Sequence, residues 1–452
     1  MKNTAVMLGL LLAWLPLTGI SQTNDSALYR WATQDYILGD WDGLRPWLSA
    51  HGADFEFFYA GSRPDNLVAG LHTGGAYEGA AFATFDLNLQ KYPGLEGGSF
   101  HVSALWLNGQ KLFSPAYSGD YNRVNLLDFD NAFRLDELWY QQKFFDSKLA
   151  IKAGELAIDS DFIVPEYYAG SGQFTLLNQT FFYPSLPYNV FDIPGFPATS
   201  HGLATTPLAT PGAVIRWDPS PKLGLQYGLY SGSPDRSAAG AAFPVSRAGG
   251  ALNYLELAWR RNPGTNNPGL GGSYKLGAYY HTSSFADVYQ GVFYAVGLAP
   301  TPARHNGNYG AYLLAEQQLY LENGKADPAQ QGLTAFFRAL GAPADRNLTQ
   351  FELDGGLVYR GLIPTRDWDT LALAGSYLEM SDDIARAQRD INSLAPGSFV
   401  PADYEGVVEL NYKIQATAWW TVQTSLQHVW HPGGSAATRD ATVFIVQTTL
   451  RF

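Results

Sequence analysis

The chain has 452 residues, with 29 Lys and Arg against 41 Asp and Glu, which gives a net charge of −12. This acidic balance argues against a nucleic-acid-binding protein, which needs a basic surface. The chain contains no Cys, which excludes disulfides, thiol nucleophiles and Cys-ligated zinc. Only 15% of the residues are charged and 14% are aromatic, a composition that argues against a coiled coil or a disordered protein.

The first 21 residues have the pattern of a secretory signal peptide. Lys2 precedes an apolar run from Ala5 to Leu15, and the small residues Gly19 and Ser21 follow. The alternative is a short buried N-terminal helix. We therefore predict a signal peptide over 1–21, an N-terminal periplasmic segment containing a helix over 22–51, and a barrel over 52–452. No later stretch reaches the roughly 18 apolar residues that a transmembrane helix needs.

From residue 53 onward, apolar and polar residues alternate with a period of two, which predicts strands with one apolar and one polar face. About sixteen such segments, each of about 9–12 residues, fit the length of a tilted strand that crosses a bilayer. We predict that they begin near Ala53, Gly79, Gly98, Asn131, Lys148, Pro211, Lys222, Gly250, Ser273, Tyr309, Gly332, Gln350, Thr370, Glu405, Trp419 and Ala441.

The connections between these segments alternate in length. Short turns are expected at 92–94, 145–147, 218–221 and 415–418, and long connections at 108–130, 158–210, 231–249, 283–308 and 379–404. Short turns on one side and long loops on the other are typical of outer-membrane barrels. Because lipid offers no hydrogen bonds, the sheet has to close on itself. We therefore predict an all-β fold, a transmembrane antiparallel β-barrel of about 16 strands, integral to the bacterial outer membrane.

A barrel of this size leaves an aqueous channel, so its inward side chains should be polar. The inward positions carry both signs of charge, including Asp86, His101, Lys152 and Arg216. A mixed lining argues against a strongly ion-selective pore. It suits neutral solutes rich in hydroxyl groups, which hydrogen-bond well to charged partners.

The segment 133–141 departs from strict alternation, which indicates a bulge. Arg134 and Glu137 are candidates to bind sugar hydroxyls, and Trp139 is a candidate to stack on a sugar ring. The alternative is a structural ion pair and an ordinary aromatic residue of the wall.

The connection 158–210 is long enough to predict a functional role, and we expect it to fold into the lumen and narrow it. Asp161, Tyr167 and Tyr168 are its candidate sugar-binding residues, because carboxylates accept hydroxyls and aromatic rings pack on C–H bonds. An external lid is the alternative. Asp159, Asp161 and Glu166 are also a possible calcium site, but the expectation is that the protein has no metal and no cofactor.

Several motifs resemble those of the carbohydrate-selective porin (OprB) family, and they run nearly from end to end. They lie at 38–48, 99–106, 134–142, 153–162, 211–217 and 431–434, with Asp42 standing where the family pattern has Gly. The resemblance implies a sixteen-stranded porin that passes mono- or oligosaccharides by facilitated diffusion, with a lumen narrowed by loops and charged side chains. Glu155, in the motif 153–162, is added to the lumen candidates on this ground.

No enzyme motif is present. The alternatives to a carbohydrate porin are a porin for other small solutes, such as organic acids or peptides, and a barrel-anchored protein without a transport function. The expected partners are a carbohydrate and outer-membrane lipid, with no nucleic acid. The chain is expected to be a monomer or a homotrimer.

Overall fold

A computed structural model describes residues 27–168, 175–182, 184, 208–233, 239–241, 243, 245, 249–265, 267, 269–325 and 329–452. Sixteen strands of eight or more residues dominate this part of the chain. They are β1 Ala53–Gly70, β2 Glu78–Asn88, β3 Gly98–Gly109, β4 Ala132–Phe144, β5 Leu149–Leu156, β6 Thr210–Ser220, β7 Leu223–Ser231, β8 Ala251–Arg261, β9 Gly272–Ala286, β10 Arg304–Leu321, β11 Gly332–Gly341, β12 Thr349–Arg360, β13 Thr370–Met380, β14 Tyr404–Thr417, β15 Trp420–Trp430 and β16 Arg439–Arg451.

The strands form a closed antiparallel barrel, as predicted. Each strand pairs with its neighbours in the sequence, and β1 pairs with β16 from Phe58↔Arg451 to Gly70↔Arg439. Closure leaves the long strands without a free edge, so their backbone groups find partners inside the sheet. Two-residue strands at Gly74–Gly75 and Ala239–Gly240 add short pairings to β1 and β4.

The outer face of the barrel is apolar. On β7, Leu223, Leu225, Tyr227 and Leu229 are exposed, whereas the residues between them are buried on the inner side. The same pattern places other large exposed side chains on the outside, among them Trp217, Leu255, Leu257, Trp259, Leu276 and Tyr280. An exposed apolar band on alternate strand positions is the surface that contacts lipid in an outer-membrane barrel.

Within the described residues, four short α-helices accompany the barrel: α1 Ala27–Thr33, α2 Leu44–Ala50, α3 Val288–Ala295 and α4 Asp382–Leu394. None of the helices in the described ranges has the length and apolar character needed to span a membrane. The short N-terminal helix predicted from the sequence is present as α1 and α2, which lie at the barrel end where β1 begins and β16 ends. Lys91, in the turn after β2, donates to the carbonyl oxygens of Ser49 and Ala50 at 2.9 and 2.8 Å.

The connection after β5 lies inside the barrel over its described residues. Phe162 packs against Tyr230 and Tyr254 of the inner wall, and Tyr168 stacks on Phe336 with ring centres 4.0 Å apart. We call the described residues 157–168 and 175–182 the inner loop. Residues 169–174, 183 and 185–207 of this connection lie outside the described residues.

Candidate solute-binding site in the barrel lumen

Carboxylates on the inner wall hold the inner loop through its backbone. Glu316 on β10 is buried, and its carboxylate accepts three consecutive amide N–H groups, from Glu166, Tyr167 and Tyr168, at 2.7, 2.9 and 3.0 Å. Charge-assisted hydrogen bonds of this kind are stronger than neutral ones. Glu316 therefore attaches one turn of the loop to the wall.

Two further strands repeat this arrangement. Glu256 on β8 accepts the Ile163 amide at 3.0 Å, and Glu409 on β14 accepts the amides of Leu177 and Asn178 at 2.8 and 2.9 Å. Both carboxylates are fully buried. The inner loop is thus attached to the wall at points spread around the barrel.

Glu137, a predicted sugar ligand, takes part in the same attachment. Its carboxylate accepts the Ala157 amide at 2.9 Å and the Ser160 hydroxyl at 3.0 Å. A cation contributes on another part of the wall. Arg338 on β11 pairs with Asp354 at 3.0 Å and donates to the carbonyl oxygen of Thr180 in the inner loop. The structure places Glu137 beneath the loop, where it supports the loop's position.

A second connection, 110–131, is attached in the same way. Glu405 on β14 accepts the amides of Tyr121 and Asn122 at 2.6 and 2.7 Å. Within the connection, burial raises the pKa of Asp120 to about 6, although hydrogen bonds from Ser118 and Ser114 favour the carboxylate. Carboxylate-to-amide attachment is therefore used by both inward connections.

A cavity of ≈ 290 Å³ remains in the lumen beside the inner loop. This volume is close to the lower end of the range for small-molecule sites, which is about 300 Å³. Its charged lining has both signs and consists of Lys152, Asp161, Glu166, Arg216, Glu256, Arg260 and Lys275.

These charges are paired with one another. The Lys152 Nζ atom lies 2.6 Å from Asp161 Oδ1, and Glu166 contacts Arg260 at 2.9 Å and Lys275 at 3.3 Å. Burial raises the pKa of Asp161, and Lys152 offsets this only in part. Burial also acts to raise the pKa of Glu166, but Lys275 and Arg260 outweigh it and bring that pKa below its ordinary value. The cavity therefore presents many fixed donors and acceptors.

A row of side chains extends from the cavity along the wall. The Lys152 Nζ atom lies 5.1 Å from the centre of the Trp139 ring, which stacks on His101 with ring centres 4.9 Å apart. His101 Nδ1 in turn lies 2.7 Å from Asp86 Oδ1. We call Asp86, His101, Trp139, Lys152 and Asp161 the polar row. All five are residues that the sequence nominated.

The family model described as carbohydrate-selective porin, OprB family, matches residues 72–452. The chain belongs to this family. This OprB-family porin is an integral protein of the bacterial outer membrane, and the family consists of channel proteins. In such barrels the short turns face the periplasm. The start of β1 and the end of β16 lie on the same side as the short turns.

Similar proteins agree with this assignment. The porin is 27% identical to Porin B of Pseudomonas aeruginosa over 88% of this chain and 87% of that protein. It is 24% identical to the putative porin QuiX of Acinetobacter baylyi, over 93% of each chain. A high-pH structure of Pseudomonas putida OprB has the same fold, with a TM-score of 0.78 at 24% identity, covering 93% of this chain and 99% of that one.

The other predicted site residues of this porin lie outside the polar row. Arg216 lines the cavity. Arg134 and Glu155 are buried in the wall and are not among the cavity-lining residues. Tyr167 lies partly buried on the inner loop, whereas Tyr168 is buried, stacks on Phe336 and donates to the Phe181 carbonyl oxygen. Tyr168 thus holds the loop rather than facing the cavity.

Glu256 and Arg260 line the cavity but were not nominated by the sequence. The signal that identifies them is the alternation on β8, where Glu256, Ala258 and Arg260 share the inner face opposite Leu257 and Trp259. Of the acidic residues of the inner loop, Asp161 pairs with Lys152, and Glu166 pairs with Arg260 and Lys275. Across the described ranges, no group of three or more His, Asp or Glu side chains is placed to hold a metal ion.

Proposed function

We propose that this porin passes neutral carbohydrates, mono- or oligosaccharides, by facilitated diffusion, with the cavity and the polar row as the binding site. The observation that carries the proposal is the balance of charge at the cavity. Four cations line it, and they are matched by Asp161, Glu166 and Glu256 together with Asp218, which contacts Arg216 at 2.6 Å and Arg260 at 3.3 Å.

A balanced set of ion pairs supports a neutral solute over an ion. An anion channel requires an excess of Arg and Lys, and a cation channel requires an excess of Asp and Glu. Paired carboxylates keep free lone pairs, and paired Arg and Lys keep free N–H groups. Sugar hydroxyls both donate and accept, so they can use both kinds of group. Within the polar row, Trp139 is the aromatic side chain that we propose packs against sugar C–H bonds, beside its contacts with His101 and Lys152.

The predicted residues divide into two proposed roles. Asp86, His101, Trp139, Lys152, Asp161 and Arg216 contact the solute. Arg134, Glu137, Glu155, Tyr167 and Tyr168 shape the wall and hold the inner loop. The oligomeric state, monomer or homotrimer, stays a prediction.

The proposal is tested by single-channel conductance in a planar bilayer, titrated with mono- and disaccharides. Saturable block of the ion current by a sugar supports a carbohydrate site in an open channel. Clear conductance without block by any sugar contradicts the proposal and favours small organic acids or peptides as solutes. No conductance favours a barrel-anchored protein without transport.

Replacing Trp139 tests the aromatic face directly. We expect Trp139→Ala to weaken sugar block by about 1 kcal/mol, or roughly fivefold in the binding constant, because the stacking surface is lost. The open-channel ion current should not fall. Trp106→Ala is the matched control, because Trp106 lies on the lipid-facing side of β3. Sugar should block this variant as strongly as it blocks the wild type. Equal block constants in all three proteins would remove Trp139 from the site.

A further inference from the structure

A second cavity, of ≈ 240 Å³, lies between the N-terminal segment and the mouth of the barrel. We propose that it is a carbohydrate subsite at the periplasmic exit of the lumen, which takes one sugar unit of the solute that the first cavity binds. This inference rests on the proposed function. The side chains that carry it are Tyr36, Trp41, Arg45, Asp54, Glu56 and Asp86.

The cavity opens on the inner face of the barrel. Asp54 on β1 is in register with Asp86 on β2, and Glu56 is in register with Thr84, so all four side chains share one face. Asp86 is also the first member of the polar row through its contact with His101. One carboxylate therefore belongs to both sites, and a solute that moves along the polar row arrives at this cavity.

The N-terminal segment supplies an aromatic wall that is held in place. The Arg45 guanidinium lies 3.7 Å from the Tyr36 ring centre and 4.2 Å from that of Trp41. Its two terminal nitrogens donate to the carbonyl oxygens of Phe55 at 2.9 Å and Phe452 at 2.8 Å. These bonds tie the aromatic residues to the first and last strands.

Trp41 adopts a backbone conformation that bulky residues rarely adopt, with φ at 56°. Such a conformation persists where the surrounding structure maintains it, and here the Arg45 guanidinium lies against the Trp41 ring. Trp41 lines the cavity together with Asp54, Glu56 and Asp86.

The lining has the chemistry that a sugar requires, with carboxylate acceptors on one side and aromatic rings on the other. It suits a neutral ligand, because Glu56 already contacts Arg451 at 2.9 Å and Asp86 contacts His101. The two cavities are similar in volume, so each accommodates a unit of similar size.

The test is single-channel block by glucose added separately to each side of an oriented bilayer. We expect Trp41→Ala and Asp54→Asn each to weaken block by glucose added on the periplasmic side, by about fivefold in the apparent block constant for the lost ring. Trp41→Phe should restore most of it. Trp47→Ala is the matched control, because Trp47 lies on α2 in the same segment, is 56% exposed and does not line the cavity.

Two failures are distinguishable. Block of the wild type by glucose, with an unchanged periplasmic block constant in both Trp41→Ala and Asp54→Asn, would overturn the exit subsite and leave the proposed function intact. A wild-type channel that conducts ions but is not blocked by glucose, maltose or other sugars would overturn the proposed function itself.

Discussion

Glu316→Gln is expected to increase the single-channel conductance. The substitution replaces a carboxylate that accepts three backbone amides with a neutral group, one end of which is itself a donor. At least one buried N–H group then lacks an acceptor, at a cost of about 1–3 kcal/mol. The barrel hydrogen bonds are untouched, so we expect the inner loop to loosen at residues 166–168 while the strands stay folded.

Single-channel conductance in a planar bilayer measures this loosening of the loop directly. The double variant Glu316→Gln with Glu409→Gln should conduct more than the single variant, because a second attachment of the loop is lost. Sugar block should weaken in parallel, since Asp161 and Glu166 are carried by the same loop. Glu322→Gln is the control, because Glu322 is exposed just beyond the end of β10. A conductance equal to that of the wild type in the double variant would show that the carboxylates do not hold the loop.

Deleting Phe452 is expected to remove most of the folded protein from the outer membrane. The Phe452 amide donates to the Phe57 carbonyl oxygen at 2.8 Å, and the two rings lie 5.1 Å apart. Its own carbonyl oxygen accepts from Arg45 at 2.8 Å. The deletion loses the aromatic contact and two hydrogen bonds of roughly 0.5–1.5 kcal/mol each, at the seam that closes the barrel.

The amount of folded barrel in the outer-membrane fraction measures this effect. Phe452→Tyr keeps the ring and the backbone bonds, so it should assemble at nearly the wild-type level. A chain lacking Phe452 that reaches normal levels in the outer membrane would show that closure does not depend on the terminal aromatic residue.

The strands could be predicted from the sequence because alternation records the boundary between lipid and lumen. Fifteen of the predicted strand starts lie within two residues of those observed. The exception is β10, which begins at Arg304 instead of near Tyr309. The first residues of β10 pair with the end of β9, where Ala286 is in register with Arg304. The β9–β10 hairpin is therefore longer than the alternation predicted.

The site could be predicted only in part. Asp86, His101 and Lys152 were nominated because an inward polar residue is visible as a phase of the alternation, whereas Asp161 was nominated from the long connection and Trp139 as a stacking aromatic residue. The sequence does not show whether such a residue meets a solute or a backbone amide. Glu137 illustrates the difference, because the amide and hydroxyl it accepts belong to residues about 20 positions away in the chain.

The attachment of the inner loop through its backbone has an evolutionary consequence. Glu256, Glu316 and Glu409 bind amide N–H groups, which every residue except proline provides. Substitutions in the loop can therefore change the side chains that a solute meets without changing what holds the loop in place. A porin of different selectivity can therefore arise from such a scaffold by exchange of loop residues, provided that the strand carboxylates are kept.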